Sequence, residues 1–270
     1  MTAESETAIA APAKRRPHVP QVRPVTSADI REALLAGLSD FARAPAYGLF
    51  FGGIFALGGL AILMFVNVMG IPWMVYPVAI GFPLIGPFAA AGLYEVSRRL
   101  QTGRPLVFGE VLSFVWRQRT REFAWMAFVV LFAFWVWVYQ VRLLLAIFLG
   151  FKSFSTLPAF INVVTTTPEG LLFLAVGHVV GAFLALTLFS ITVVSVPLLL
   201  ERNVDFVTAM ITSVKAVITS PVPMLGWGVI VTLSVIAGII PFFLGLVVVL
   251  PVLGHTTWHL YTKLVAPYAE

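Results

Sequence analysis

The sequence predicts an all-α polytopic membrane protein, with six transmembrane helices arranged as three hairpins, each preceded by an amphipathic cytoplasmic interfacial helix. Three observations carry this. The 270 residues are 60% hydrophobic and 11% charged, where soluble domains average about 25% charged. The apolar residues gather into six blocks, each long enough for about 30 Å of hydrocarbon. The cations crowd into alternate loops, as the positive-inside rule requires of a multi-pass chain. A mean hydropathy of +0.98 leaves too little polar surface to cover a water-soluble globule of this size.

Residues 1–25 contain Lys14, Arg15 and Arg16 but no apolar stretch, so they do not read as a secretory signal. They are expected to form a disordered basic cytoplasmic tail that sets orientation and touches anionic headgroups. Residues 26–270 are then expected to make a single transmembrane domain, with membrane lipids and another membrane protein complex as candidate partners, and no nucleic acid.

Asp29–Arg43 reads DIREALLAGLSDFAR. Ile30, Ala33, Leu34, Leu38 and Phe41 share one helical face, and Arg31, Glu32, Ser39 and Asp40 another. Thr26 or Ser27 can cap its start, and Asp29 suits the first turn. Spans follow at about 46–68 and 74–97, the second interrupted by Gly81, Pro83, Gly86 and Pro87. Val107–Arg119 repeats the surface stripe with Phe108, Val111, Leu112 and Val115, ahead of spans at about 123–149 and 170–199. The stretch from Phe151 to Thr167 is read as an external loop. Asp205–Thr219 forms a third stripe from Phe206, Ala209, Met210, Val214 and Val217, ahead of spans at about 223–240 and 243–264.

Orientation follows from charge. Arg23, Arg31 and Arg43 precede the first span, and Arg98, Arg99, Arg104, Arg117, Arg119 and Arg121 lie between the second and third. Arg202 and Lys215 lie between the fourth and fifth, and Lys263 follows near the end. Lys152 and Arg142 lie toward the opposite side. Both termini are therefore expected in the cytoplasm.

The surface helices read as one unit used three times, over about 26–98, 105–199 and 203–266. A shift of 176 residues pairs Asp29 with Asp205, Ala33 with Ala209, Pro45 with Pro221 and Gly52 with Gly228. The hairpin ends also correspond: Pro87 with Pro251, Tyr94 with Trp258, Glu95 with His259, and Arg99 with Lys263.

Few residues can carry chemistry. The chain has no cysteine, which excludes disulfides, thiolate metal sites and thiol nucleophiles. His255 and His259 share a helix face at the spacing of two ligands on one metal. No HExxH zinc-protease motif is present. A haem or metal at this pair is the alternative to the expectation of no cofactor, namely that both imidazoles sit at a wet helix end and bond headgroups or a neighbouring helix. His178 lies deep in the fourth span beside Gly177 and Gly181, a GxxxG pair that allows a neighbouring helix to approach closely, and is expected to face another helix or water, in a helix-packing hydrogen bond or, as the alternative, a ligand or proton-relay role. Glu95 is explained by an i,i+4 pair with Arg99, and Arg142 by snorkelling. No Walker A loop, nucleophile elbow or Rossmann glycine motif occurs.

Phe82–Leu100 (FPLIGPFAAAGLYEVSRRL), Val194–Asp205 (VSVPLLLERNVD) and Leu250–Tyr261 (LPVLGHTTWHLY) together resemble a bacterial six-span integral membrane family of unknown function. The resemblance runs over most of the chain after about residue 26, and the GHxTWHLY stretch is its most specific part. Some members carry labels resembling cytochrome c oxidase subunits. This chain lacks the spaced intramembrane histidines for two haems and copper, so oxidase activity does not carry over. The resemblance implies a bacterial inner-membrane protein and supplies no catalytic residue. The expected role is non-enzymatic: an accessory, assembly or lipid-interaction factor. The alternative is a small-solute transporter or channel built on the Gly/Pro-kinked spans.

Overall fold

The computed structural model describes residues 20–69, 75–118, 121–150 and 156–267. Most of the expected basic tail, and Lys152 in the expected external loop, lie outside these residues. Helix α1 (Ser27–Arg43) starts from a capping box: Asp29 N–H donates to Thr26 Oγ1, and Thr26 N–H donates to the Asp29 carboxylate at 2.8 Å. Such a cap contributes about 1 kcal/mol. Then come α2 (Pro45–Asn67), α3 (Val75–Gln101), α4 (Phe108–Arg117) and α5 (Arg121–Leu149). The expected external loop contains a short helix, α6 (Leu157–Thr166), capped by Thr156. After it run α7 (Pro168–Thr192), α8 (Ser195–Glu201), α9 (Phe206–Thr219), α10 (Pro221–Ile239) and α11 (Leu246–Leu264).

Among the described residues, five helices are long and apolar enough to cross a membrane: α2, α3, α5, α10, and α7 with α8 as one apolar run over Pro168–Glu201. The sixth expected span became α11, which is not one of the five. Its first half is Leu- and Val-rich, but its second half carries His255, Thr256, Thr257, His259, Thr262 and Lys263. Many of its residues are buried in protein. The run from α7 to α8 breaks at Val193–Val194, just ahead of Pro197, and the Val194 N–H donates to Ser213 Oγ of α9 at 3.0 Å. A neighbouring side chain thus accepts the amide exposed at the break.

Tight packing of α2 on α11 rests on bare backbone. A Cβ at Gly52 would stand 2.7 Å from the Val247 carbonyl oxygen, and one at Gly48 would enter the Phe41 ring. Gly48 and Gly52 are a GxxxG pair that allows close helix approach. The pair expected to do this, Gly177/Gly181, does not: beyond its own helix, a Cβ at Gly181 would meet nothing within 4 Å. The turn into α11 places Phe242 and Phe243 at φ 55° and 68°. This left-handed region costs non-glycine residues roughly 1–2 kcal/mol each. The Phe243 ring offsets part of that by covering Gly59.

The surface helices bury the small residues of their stripes most deeply. On α1 the buried residues are Ile30, Ala33, Gly37 and Asp40. Leu34 and Phe41 of the stripe are half-buried, while Leu38 is exposed. Small residues face inward where α1 lies close to α11, and Leu38 turns outward. On α9, Ala209 and Val217 of the stripe are buried together with Thr212, Ser213 and Ala216, and Phe206, Met210 and Val214 are partly so. On α4, Val111 is buried while Phe108 and Leu112 are exposed.

Contacts between elements follow a cyclic order. Helices α1 and α2 dock on α11, α4 and α5 dock on α3, and α9 docks on α7 and α8, while α3, α8 and α11 touch one another. The corners entering α2 and α10 share a backbone conformation, with Ala44 at φ −134°, ψ 51° and Ser220 at φ −136°, ψ 64°, each followed by a proline. The main core gathers at the end of the bundle that carries the surface helices, around Phe123, Leu198, Trp227, Trp258 and Tyr261. There the two ends of the described chain pair as an isolated antiparallel bridge, Val22 with Val265. Arg23 N–H donates to Leu264 O at 2.7 Å, and Ala266 N–H to Gln21 O at 3.0 Å.

Candidate functional site

The polar residues of α11 meet α3 and α1 at this same end. Helices α3 and α11 run in parallel, and two pairs match at one separation of 158 residues: Ser97 with His255 at 2.8 Å, and Gln101 with His259 at 2.9 Å. Gln101 is the hinge of a chain of hydrogen bonds. Its side-chain oxygen accepts from Trp258 Nε1–H at 2.8 Å, and its amide donates to His259 Nδ1. His259 Nε2–H then donates to Asp40 of α1 at 2.7 Å. These partners place the neutral ring's proton on Nε2. Tyr94 stacks on Trp258, with centroids 6.1 Å apart. The two aromatics that correspond between hairpins are thus neighbours in space.

His255 is fully buried. Its Nδ1 is bonded to Ser97, and its Nε2 has no hydrogen-bond partner among the described residues. The two histidines share a face as expected, yet each is held by its own partner on α3, and both ring nitrogens of His259 are already in hydrogen bonds. Both imidazoles bond neighbouring helices, one of the two settings expected for them; His259 is half-buried, and His255 lies fully buried rather than at a wet helix end. Among the described residues no three His, Asp or Glu side chains converge as metal ligands.

Around this junction the charges pair closely. Glu95 is buried and accepts from Arg98 Nε and Arg99 Nε, both at 2.8 Å, and Arg99 also bonds Glu110 of α4 at 2.6 Å. The expected i,i+4 pair is present, within a larger network that ties α4 to α3. Lys263 reaches Glu32 at 2.9 Å and Asp29 at 3.4 Å. Tyr261 OH donates to Glu201, and buried Arg202 donates to the Ala266 carbonyl. Bonds from Thr26 hold the Asp29 carboxyl below the usual carboxylate range, and bonds from Thr208 do the same for Asp205, the cap of α9.

The other candidates lie elsewhere. His178 is exposed on α7, and its Nδ1–H folds back to Leu174 O at 2.6 Å. Its own helix satisfies that N–H, so Nδ1 makes no hydrogen bond to a second helix. Arg142 is exposed on the second half of α5. Sequence reasoning missed Ser97, Gln101 and Asp40. The signal was there for two of them: Ser97 and Gln101 are spaced four apart on α3, as are His255 and His259 on α11.

Two hollows flank this architecture. One is a cavity of about 490 Å³ between α5 and α7, walled by Val129, Ala133, Trp137, Gly181 and Leu188, with Pro83 of α3 at its side. Its surface is almost wholly apolar, and its Thr187 hydroxyl is donated to Phe183 O. The second, about 270 Å³, is a polar recess lined by Gln118, Glu122, Glu201, Arg202 and Asn203 at the α8–α9 link. Glu122 there accepts from the Phe206 N–H at 2.9 Å.

No curated protein matches the chain, and no solved structure does. Residues 73–201, just under half of the chain and running from α3 through α8, match the profile of a family described as predicted integral membrane protein (DUF2189), which makes this segment similar to a family of membrane proteins of uncharacterised function.

Proposed function

We propose that the chain is a non-enzymatic inner-membrane protein, acting as an accessory, assembly or lipid-interaction factor. The observation that carries this is how the polar side chains are spent. Asp40, Glu95, Ser97, Gln101 and His259 bond one another and their neighbouring helices, and hold the surface helices on the bundle. They do not line a path through it. Each surface helix keeps apolar side chains facing outward: Leu35 and Leu38 on α1, Phe108 and Leu112 on α4, Val207, Ile211 and Ile218 on α9. Outward apolar rows on helices with basic residues suit a membrane surface or a membrane-embedded partner.

The arrangement we favour has six crossings in three hairpins, with both termini in the cytoplasm. The pairing of Val22 with Val265 supports it, since chain ends that meet on one side require an even number of crossings. With five apolar helices, α11 makes the sixth, its polar half covered by α1 and α3. The cyclic docking order and the matching Ala44 and Ser220 corners support the threefold repeat. The alternative, a small-solute transporter on kinked spans, rests on Pro83 in the cavity wall, but that wall offers a polar solute almost nothing to bond.

Extraction in native lipid discs, followed by identification of bound lipids and proteins, tests the proposal. A lipid class or a membrane protein retained in stoichiometric amount is the expected result. Neither retained, together with solute uptake by reconstituted vesicles, would replace it with transport.

A further inference from the structure

Helix α5 carries a row of rings that the bundle does not use. Trp125, Phe128, Phe132, Trp135 and Tyr139 follow one another at alternating spacings of three and four, so they share one stripe of the helix. Each is between 37% and 64% exposed. The residues of α5 buried against the bundle, Phe123, Met126 and Ala127, fall on the opposite side. The row therefore points straight away from the molecule. Its rings already pack along the helix: Trp125 on Phe128 with centroids 5.8 Å apart, Phe128 on Phe132 at 6.3 Å, and Trp135 on Tyr139 at 6.0 Å.

Contact with lipid alone does not call for such a row. The exposed row of α10, at similar spacing, is wholly aliphatic: Val222, Leu225, Val229, Leu233 and Ile236. An interfacial belt places aromatics at helix ends, whereas Phe132 and Trp135 stand near the middle of the 29-residue α5.

We propose that this row is the contact between two copies of the chain, with α5 packed in parallel on α5 of the second copy. Copies in one membrane share an orientation, so a two-fold axis along the membrane normal brings the same row face to face. Alternating three–four spacing is the seam of two helices crossing at about 20°. Like meets like across such a seam, and aromatic pairs are favourable beyond the area they cover. The area is sufficient. At roughly 150–250 Å² per aromatic residue, the exposed parts of the five come to about 500 Å² on each copy, or about 1,000 Å² in the pair, the lower end for a specific interface. Rings ordered before contact lose little freedom on pairing. The next seam position is Arg142, where two like charges would meet, so the contact centres on Phe132 and ends at Tyr139.

The test uses the full chain in lipid bilayers. The sequence has no cysteine, so single cysteines can be oxidised without background. Disulfide between copies should form readily for Phe128→Cys, Phe132→Cys and Trp135→Cys. It should be weak for Val130→Cys and Phe134→Cys, on other sides of α5, and for Leu233→Cys in the aliphatic row of α10. Subunit counting by single-molecule photobleaching, as labelled protein is diluted in lipid, should show dimers giving way to monomers. Replacing both Phe132 and Trp135 by Ala should move that transition to about tenfold higher density, and replacing both Val229 and Leu233 by Ala should leave it in place. Monomers at every density would overturn the proposal, and that count needs no variant to fold. So would disulfide yields that are flat along α5 or highest on α10, or a row that crosslinks to a different protein in native membranes instead of to itself.

Discussion

Gly37 of α1 lies against Thr256 of α11 with no room for a side chain: a Cβ at position 37 would stand 2.3 Å from the Thr256 hydroxyl oxygen and 2.7 Å from its backbone nitrogen. Thr256 cannot easily yield, since its hydroxyl is donated to Val252 O and it is fully buried. Gly37→Leu should therefore lift α1 off α11. We expect a loss of about 1–3 kcal/mol from overpacking, read as a lower midpoint of thermal unfolding in detergent and faster proteolysis ahead of Ser27. Leu38→Ala, one residue on but exposed, should change the midpoint little. Equal effects from both would mean that α1 packs on its leucine side.

Asp40 and His259 should respond unequally to loss of their partner. Asp40 is 4% exposed, and removing the imidazole leaves a buried carboxylate without its donor. His259→Leu should cost about 3–5 kcal/mol, and Asp40→Asn much less, because the amide oxygen still accepts from Nε2–H. The double variant Asp40→Leu/His259→Leu should recover part of the loss. A double-mutant cycle in one detergent measures the coupling; strictly additive losses would show that the two groups do not interact.

Acid should loosen the starts of α1 and α9 before the rest. The carboxyls of Asp29 and Asp205 are held below their ordinary value by cap hydrogen bonds. A depressed folded-state value means that the stabilisation is present above the unfolded value, about 3.9, and is lost as pH falls through the folded one. Protection factors for amide exchange at Thr208 and Asp29 should fall below about pH 4. Asp205→Asn should keep the cap at neutral pH, since Asn caps as well as Asp, and remove the part of the acid dependence read at Thr208.

Topology follows from the paired chain ends. Reporters fused after Ala46, Lys152 and Glu270 should read inside, outside and inside. A Glu270 fusion reading outside would leave α11 on the surface and the crossings at five.

The sequence displayed membrane class, helix content and the position of each surface helix, because hydropathy and 3.6-residue periodicity are local. It did not show which residues of each stripe pack most closely. Periodicity groups Leu38 with Ile30, Ala33 and Leu34, but in lipid both sides of a helix are apolar-tolerant. There the inner face is chosen by fit, and Ala33 and Gly37 fit. The same reasoning misplaced the close helix contact at Gly177/Gly181 when Gly48/Gly52 make it. Glu95 was legible because its partner Arg99 lies one turn away. The bonds of His259 to Gln101 and Asp40 were not, because they span 158 and 219 residues.

The bridge between Val22 and Val265 also sets an order in time. Helix α1 leaves the ribosome well ahead of α11, its main seat. Until α11 has formed and reached it, α1 must wait on its own amphipathic character. Closing so long a loop is entropically costly and slow compared with local helix formation. A nascent chain halted anywhere before His255 would have inserted most of its apolar helices while leaving Gly37 and Asp40 bare. Arrival of α11 is then the step that locks α1 in place, and a protease that reads an undocked α1 would distinguish chains whose α11 has docked from those whose α11 has not.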